Sequence, residues 1–401
     1  MKRTSSNTSP RNSISTAYAQ AIDKENIQPN SSINEHCSTN QPQIVQRSQV
    51  DKSHLFPTAS ESEHQLEATN LRLINSITKN INPPLLTDDL YAQLVEPLSN
   101  QDFETAMRIA GVSSLQELYE LACPHKRSLL IFAAADGHTK VINALLSKLK
   151  NPDSFACMKD NFGHTALMFA AVSNQPESIK TLLNIVKDPE TLASMTDEVG
   201  MSALMLAAFR GYAESVTALL TSVRNGKQLV LMKNQSDFNA LMLAAIYNQT
   251  YSIQAILDNV KNPEELVYFP NNDGKTALMI CSRNESDFEF NPNGLIMMLE
   301  TVKKIRDPDS LIFLTDINGM NAFMIAAEEN NDLAVATLFH WTTDKLALLK
   351  QEDKKQRTAV DLLDPVLCDG LIRLLVKKVM PIDSQDLDAV LSLLQQKARL
   401  H

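Results

Sequence analysis

The chain has 401 residues, of which 44% are apolar and only 5% aromatic, and it contains 10 glycines. This length suits two or three folded units, and the composition favours short helices over β-sheet. The net charge of −10 argues against nucleic acid as the main partner, because phosphate binding needs a basic surface. No apolar run reaches membrane-spanning length, and the polar first residues argue against a secretory signal.

The cysteines are scattered, odd in number and never paired at CxxC spacing: Cys37, Cys123, Cys157, Cys281 and Cys368. This usage is typical of a reducing compartment and not of a disulfide scaffold or a zinc site. We therefore expect a cytoplasmic protein that holds no metal or other cofactor.

The first 60 residues are rich in Ser, Thr, Asn and Gln. Such a segment cannot bury enough surface to offset the entropy lost on ordering, so we predict a disordered polar tail over 1–60. Over 61–122 we predict a helical N-terminal segment. Its first part has apolar residues at helical spacing and ends at Pro83-Pro84, and a compact apolar stretch follows over 85–122.

One motif then recurs, most often as Thr, Ser or Asn followed by Ala-Leu-Met-x-Ala-Ala. Its copies begin at Ser128, Thr165, Ser202, Asn239, Thr276, Asn321 and Thr358. Successive copies lie 37 residues apart, except that 45 residues separate Thr276 from Asn321. The longer step implies an eight-residue insertion, for which residues 288–294 are the candidate loop. A fixed period over seven copies predicts a repeat solenoid.

Each copy predicts a pair of helices. The Thr, Ser or Asn is a typical N-cap, and the small apolar residues after it allow close packing of the first helix. That helix is predicted to end at residue types that tolerate left-handed backbone: Gly137, Asn174, Gly211, Asn248 and Asn330. A second helix follows and carries paired apolar residues such as Leu182-Leu183.

Two further elements recur in phase. Asn-Pro or Asp-Pro pairs, such as Asn151-Pro152 and Asp188-Pro189, predict a short extra helical turn. A β-turn tip precedes the next copy and contains Gly163, Gly200, Gly274 or Gly319. After the last copy, a C-terminal capping helix is predicted over 381–401, beginning at Ser384 and carrying on one face Leu387, Val390, Leu391 and Leu394.

This layout resembles the ankyrin-repeat family over about residues 123–380. The resemblance implies an all-α solenoid of about seven helix-turn-helix repeats with β-turn fingers, a disordered N-terminal tail and helical caps. Two features depart from the family pattern. Ala-Leu-Met replaces its Pro-Leu-His, so the histidine that ties neighbouring loops is lost, and the period is about four residues longer.

The Thr-Ala-Leu-Met form with a lengthened period is similar to bacterial effectors delivered into host cells and to protist ankyrin proteins. The family resemblance implies a non-enzymatic scaffold for protein–protein interaction. The effector resemblance implies translocation into a host-cell cytosol and a host protein as partner.

Residues 85–110 resemble a second family, the F-box. The matching positions are Leu86, Asp89, Leu90, Leu94, Val95, Leu98, Asp102, Phe103, Ala106 and Ile109. This resemblance implies a substrate adaptor of a cullin-type ubiquitin ligase. Thr87 stands where that family usually has Pro, and no Trp follows. The alternative is a helical cap that covers the first repeat.

Residues suited to catalysis are few. Gly274-Lys275-Thr276 resembles the end of a phosphate-binding loop, but Phe269 occupies the position of the required first glycine. The histidines show neither an HExxH motif nor a nucleophile–base pattern. We therefore predict no catalytic residue.

Ankyrin proteins usually bind partners on a concave face, through the finger tips and the exposed end of the first helix. The phase of the repeat places ten candidate contact residues there: Phe162, His164, Met201, Phe209, Arg210, Phe238, Ile246, Tyr247, Lys275 and Met320. Aromatic and Arg side chains at solvent-facing positions are typical of binding hot spots. We expect a monomer that binds another protein, and neither nucleic acid nor membrane, through a patch centred on Phe162, Phe209, Phe238 and Tyr247.

Overall fold

The computed structural model describes residues 85–283, 292–304 and 306–399. The regular structure of these residues is helical, with three isolated β-bridges beside the helices. They fall into two compact units, 85–269 and 270–399, each described here by itself. The predicted tail over 1–60 and the predicted helix before Pro83 lie outside the described residues.

The helices of the first unit follow one another in chain order. They are α1 Asp88–Ser99, α2 Phe103–Ala110, α3 Leu115–Glu120, α4 Leu129–Asp136, α5 Thr139–Ser147, α6 Pro152–Ala156, α7 Ala166–Val172, α8 Pro176–Ile185, α9 Pro189–Ser194, α10 Ala203–Arg210, α11 Ala213–Ser222, α12 Gly226–Leu231, α13 Ala240–Ile246, α14 Thr250–Asn259 and α15 Pro263–Val267.

The second unit continues the same order of long and short helices. They are α16 Ala277–Cys281, α17 Asn293–Lys303, α18 Asp309–Ile312, α19 Ala322–Glu328, α20 Asp332–Trp341, α21 Lys345–Lys350, α22 Ala359–Leu362, α23 Pro365–Val376 and α24 Leu387–Ala398.

Side-chain caps begin the first helix in six of the seven repeats, whereas Ser128 forms no such bond. Thr165 Oγ1 accepts a hydrogen bond from the backbone N–H of Met168 at 3.3 Å. Equivalent caps are formed by Ser202, Asn239, Thr276, Asn321 and Thr358. The backbone is left-handed at all five positions where these helices were predicted to end: Gly137, Asn174, Gly211, Asn248 and Asn330. The structure therefore confirms both ends of the predicted first helices.

The core lies between successive helix pairs. In the first unit, the first helices α4, α7, α10 and α13 pack in a row, and the second helices α5, α8, α11 and α14 form a parallel row. Every residue of the repeated segment 166–171 is buried. The alanines of this segment have small side chains, so neighbouring helix backbones can approach closely.

We call the turn before each first helix a finger. In six of the seven fingers an Asp or Asn organises this turn, and its side chain is buried in all of these except the half-buried Asn234. The six positions recur with the period of the repeat: Asp160, Asp197, Asn234, Asn271, Asp316 and Asp353. Asp197 Oδ1 accepts from the N–H groups of Val199 at 3.0 Å and Met201 at 2.8 Å. In all six fingers this oxygen accepts from the residue four positions later.

Hydrogen bonds between backbones join neighbouring fingers within each unit. The Gln235 N–H donates to the Val199 carbonyl at 3.1 Å, and the Lys354 N–H donates to the Asn318 carbonyl at 2.9 Å. Gly200 has a φ of 82°, and a Cβ there would lie 2.9 Å from the Gln235 nitrogen. Close approach of the fingers therefore requires glycine at this position.

The short third helices explain the lengthened period. Asp153 Oδ1, in α6, accepts from the N–H groups of Lys187 at 2.7 Å and Asp188 at 3.2 Å, which begin the next third helix. Glu190 Oε1 accepts from the Arg224 N–H in the same way, at 2.9 Å. The extra residues thus add a third row of contacts between successive repeats, beside the helix pairs and the fingers.

Two predicted boundaries are wrong. The C-terminal helix α24 begins at Leu387, because Ser384 lies in a turn in which Asp383 Oδ1 accepts from the Gln385 N–H at 3.1 Å. Its buried face, Val390 and Leu394, is as predicted. Residues 293–294 of the predicted insertion loop belong to helix α17, and 288–291 lie outside the described residues.

Replacing Asp197 tests the role of the buried finger side chain. Asp197→Ala leaves the N–H groups of Val199 and Met201 without their acceptor, so we expect a loss of about 2 kcal/mol in the free energy of unfolding. Asp197→Asn should cost much less, since Asn234 and Asn271 make the same bond to the residue four positions later. Urea unfolding followed by circular dichroism measures both. Equal losses for Ala and Asn would contradict the assignment.

Candidate protein-binding surface

Five of the ten predicted contact residues share one register, directly before the N-cap of a first helix: His164, Met201, Phe238, Lys275 and Met320. The structure buries His164, Met201 and Met320 and leaves Phe238 and Lys275 half-buried. The expectation that these side chains face solvent is therefore wrong for the first three. The backbone N–H at this register donates to the buried Asp or Asn of the same finger, so the residue is held against the finger's base.

His164 lies between two buried carboxylates of neighbouring fingers. Its Nδ1 is 3.3 Å from Asp160 Oδ2, and its Nε2 is 3.6 Å from Asp197 Oδ2. Arg127 Nε approaches the same oxygen of Asp160 at 3.4 Å. His164 therefore connects two fingers from a position outside the motif in which the family carries its loop-tying histidine.

These contacts shift the titration of both partners. Burial opposes protonation of the His164 imidazole, but hydrogen bonds to Asp160 and Asp197 and the charges of both carboxylates raise its pKa above the usual value. For Asp160, burial acts to raise the pKa, but the hydrogen bond and charge of His164 and two backbone N–H groups lower it. The pair is therefore held as imidazolium and carboxylate over a wider pH range than either group alone.

Phe162 occupies the apex of its finger. Its half-buried ring lies between two imidazoles, with centroids 5.8 Å from that of His125 and 5.9 Å from that of His164. The ring thus packs between neighbouring fingers on one side and is accessible on the other. Phe162 is only partly available to a partner.

The other four predicted residues cluster at the C-terminal ends of α10 and α13. The Phe209 and Tyr247 rings meet edge to face with centroids 4.4 Å apart. The Arg210 guanidinium lies 5.6 Å from the centroid of the Phe209 ring. Tyr247 is 41% exposed, whereas Phe209, Arg210 and Ile246 are half-buried. We call Phe209, Arg210, Ile246 and Tyr247, together with Tyr251, the aromatic cluster.

The predicted patch divides into two parts. Phe162 and Phe238 lie in fingers, whereas Phe209 and Tyr247 lie at the opposite ends of the first helices. Seven residues separate the N-cap Ser202 from Phe209, which corresponds to about 10 Å along a helix axis. The four residues on which the predicted patch was centred therefore do not form a single continuous cluster.

The exposed apolar residues that were not predicted as contact residues include Val199, Tyr251 and Ile317. Tyr251 is 78% exposed in the first turn of α14. The equivalent positions of two preceding repeats hold Glu177 and Glu214. Aligning the repeats with one another would have revealed this tyrosine, because other copies have charged residues at the same position.

The F-box-like segment folds into α1 and α2, and its matching leucines are largely internal. Leu86, Leu94 and Leu98 are buried and Leu90 is half-buried. Helix α1 packs on α5, and Tyr91 Oη lies 2.7 Å from His138 Nδ1. The three buried leucines therefore serve the packing of α1.

Among the described residues, no group of three or more His, Cys, Asp or Glu side chains is placed to hold a metal ion. No helix within 85–283, 292–304 and 306–399 is long and apolar enough to cross a membrane.

The His164 contacts predict a pH-dependent contribution to stability. Because the folded-state pKa is raised, the stabilisation is fully present below the unfolded pKa of about 6.5 and is lost as pH rises through the folded pKa. We compare the wild type with His164→Met, since Met occupies this register at 201 and 320. The difference in urea midpoint should be larger at pH 6 than at pH 9. A difference independent of pH would show that packing alone matters.

Comparisons with known proteins were made for both sequence and structure. A sequence model described as "Ankyrin repeats (3 copies)" matches residues 103–193, 130–231 and 204–290. No curated protein sequence matches the chain.

The solved structures that match this chain include ankyrin repeat proteins. The ankyrin repeat domain of Bcl-3 is 17% identical, with a TM-score of 0.48, covering 60% of this chain and 96% of that one. EF0377, an ankyrin repeat protein, is 20% identical, with a TM-score of 0.42 and coverages of 52% and 95%. A chain from the complex of the endopeptidase Bd0816 from Bdellovibrio bacteriovorus with the immunity protein Bd3460 is 23% identical, with a TM-score of 0.38 and coverages of 52% and 95%. This chain carries ankyrin repeats over residues 103–290.

Proposed function

We propose that this chain is a non-enzymatic binding protein that recognises another protein through the aromatic cluster of residues 85–269. Ankyrin repeats mediate protein–protein interactions, and four of the five residues of the cluster lie at the C-terminal ends of the first helices α10 and α13. The observation that carries the proposal is the contact between the Phe209 ring and the exposed Tyr247 ring, whose centroids are 4.4 Å apart. Tyr251, four residues after Tyr247 in the chain, is also exposed.

The physical argument rests on the exposure of large rings. A Tyr or Phe ring that becomes buried on binding removes up to about 150–250 Å² from water, which makes aromatic residues dominant in interfaces. The edge-to-face contact limits the rotation of both rings, so less conformational entropy is lost on binding. Arg210 adds a cation beside the rings, which favours a partner with carboxylate or carbonyl groups.

We also propose the setting in which this interaction takes place. The cysteine pattern supports a cytoplasmic location, and the effector resemblance supports a host protein as the partner. Residues 85–122 are proposed as a cap of the first repeat, because their leucines pack inward and α1 contacts α5.

Truncating the two exposed rings should weaken partner binding without unfolding the chain. We expect Tyr247→Ala combined with Tyr251→Ala to weaken binding at least about tenfold, because each ring is expected to contribute more than about 1 kcal/mol. The measurement is a pull-down from eukaryotic cell lysate with quantitative mass spectrometry, followed by titration of the captured protein against both forms.

Met158→Ala is the matched control, since Met158 is 46% exposed in the same unit, against 41% for Tyr247. A protein retained by the wild type and by the control but lost by the double variant supports the proposal. Retention by all three forms rejects the aromatic cluster as the binding surface. A fall of the thermal transition in the double variant alone would instead make the two tyrosines structural residues.

A further inference from the structure

A cavity of about 850 Å³ lies in the unit formed by residues 270–399. Its walls come from α17, Pro308 at the start of α18, α20 and the two residues after it, α21, and the segment between α23 and α24. The residues that line the cavity include Lys303, His340, Trp341, Lys345 and Ile382. The cavity belongs to the second unit, whereas the aromatic cluster lies within the first.

Lys345 is an unusual residue in this cavity. It is only 2% exposed, and its Nζ donates to the Thr342 carbonyl at 2.5 Å and lies 5.5 Å from the centroid of the Phe339 ring. Among the described residues, no carboxylate oxygen lies within salt-bridge distance of Nζ. A buried ammonium normally requires such a partner.

The repeat itself does not require a lysine at this position. Lys345 is the first residue of the third helix, and the equivalent positions of the other copies hold Pro152, Pro189, Gly226, Pro263 and Pro308. Pro suits the first helical position because its fixed backbone and missing N–H are tolerated there. The pattern of the repeat therefore does not explain why a lysine occupies this position.

The surroundings keep this amine partly uncharged near neutral pH. Burial lowers the pKa of Lys345 to about 8, against a weaker opposing effect of Asp309. Asp309 already accepts hydrogen bonds from the backbone N–H groups of Thr343 and Asp344. With its pKa lowered to about 8, Lys345 has a much larger neutral fraction at pH 7.5 than an ordinary lysine, whose pKa is about 10.4. A neutral amine is a nucleophile, whereas an ammonium is not.

The other walls indicate the kind of molecule that fits. Trp341, the single tryptophan of the chain, lines the cavity, and Lys303 Nζ lies 5.1 Å from the centroid of its ring. Glu300 and Asp383 also line the cavity and offset the charges of the two lysines. Burial, with the charges of Lys345 and Lys303, lowers the pKa of His340 and favours its neutral form. A cavity with balanced charge and an indole wall favours a neutral aromatic ligand.

We propose that this cavity binds a small neutral aromatic aldehyde and that Lys345 captures it as an imine. The Nζ lone pair attacks the carbonyl carbon and forms the C–N bond. Both protons of the neutral amine leave with the carbonyl oxygen as one molecule of water, and the C=N bond remains. No electrons are gained or lost, so the step needs no oxidant or reductant.

The test uses the full chain with benzaldehyde and cyanoborohydride at pH 7.5. Cyanoborohydride delivers hydride to the imine and fixes a benzyl group on the lysine, which peptide mass spectrometry locates. Lys350 ends the same helix and is exposed, so it is the internal reference. We expect Lys345 to be labelled at least about tenfold faster than Lys350, because far more of its amine is neutral. A rate equal to or below that of Lys350 overturns the proposal.

Two controls separate a folded site from general amine reactivity. In 8 M urea the ratio of Lys345 to Lys350 labelling should fall to about one, since both lysines then have ordinary pKa values. With propanal, which has no ring to contact Trp341, the ratio should be lower than with benzaldehyde. An equal ratio for both aldehydes overturns the aromatic class. Lys345→Met should lose the fast label and Lys350→Met should keep it, and a fast label that survives in Lys345→Met rejects the assignment.

Discussion

The repeat depends on the hydrogen bonds accepted by an Asp or Asn at the base of six fingers, a side chain that is buried in five of them. Its side-chain oxygen accepts the N–H of the residue directly before the N-cap, so one acceptor both closes the turn and fixes where the first helix starts. The closed turn also brings backbone N–H and carbonyl groups of neighbouring fingers within hydrogen-bonding distance of each other. An unpaired buried donor costs more than a typical hydrogen bond contributes, so this position tolerates Asp and Asn but few other residues.

This constraint decides which residues a partner can reach. The residue directly before the N-cap is held against the base of the finger. A substitution of this residue therefore changes contacts between fingers and not the outer surface. His164 illustrates the point, because it lies between Asp160 and Asp197 and contributes to cohesion of the repeats. The apices of the fingers and the ends of the first helices are free of that constraint. Specificity is therefore expected at residues such as Val199, Tyr247 and Tyr251, which differ between copies without disturbing the hydrogen bonds.

The sequence predicts the helices of this fold well, because their determinants are local and periodic. Caps such as Thr165 and left-handed positions such as Asn174 are specified by residues within one repeat. The candidate site was predicted less well. The position of a residue within the repeat assigns it to a helix or a finger, but it does not give the direction of the side chain. Met201 and Met320 were therefore expected at the surface, whereas the structure buries them. The finger Asp and Asn were overlooked although they recur in phase, because their role depends on backbone N–H groups that a sequence does not display.

The lengthened period has a consequence beyond cohesion. A repeat of about 33 residues leaves little room for a third helix, whereas the 37-residue copies place one between each helix pair and the next finger. In the second unit, α18 follows Pro308 and α21 begins with Lys345, and both residues line the cavity. Carboxylates of one third helix cap the start of the next, as Asp309 does for Thr343 and Asp344, so this row is held without the side chain at position 345. The third helix is the element that departs most from the family pattern. A side chain at its first position can therefore change without weakening the packing between successive helices.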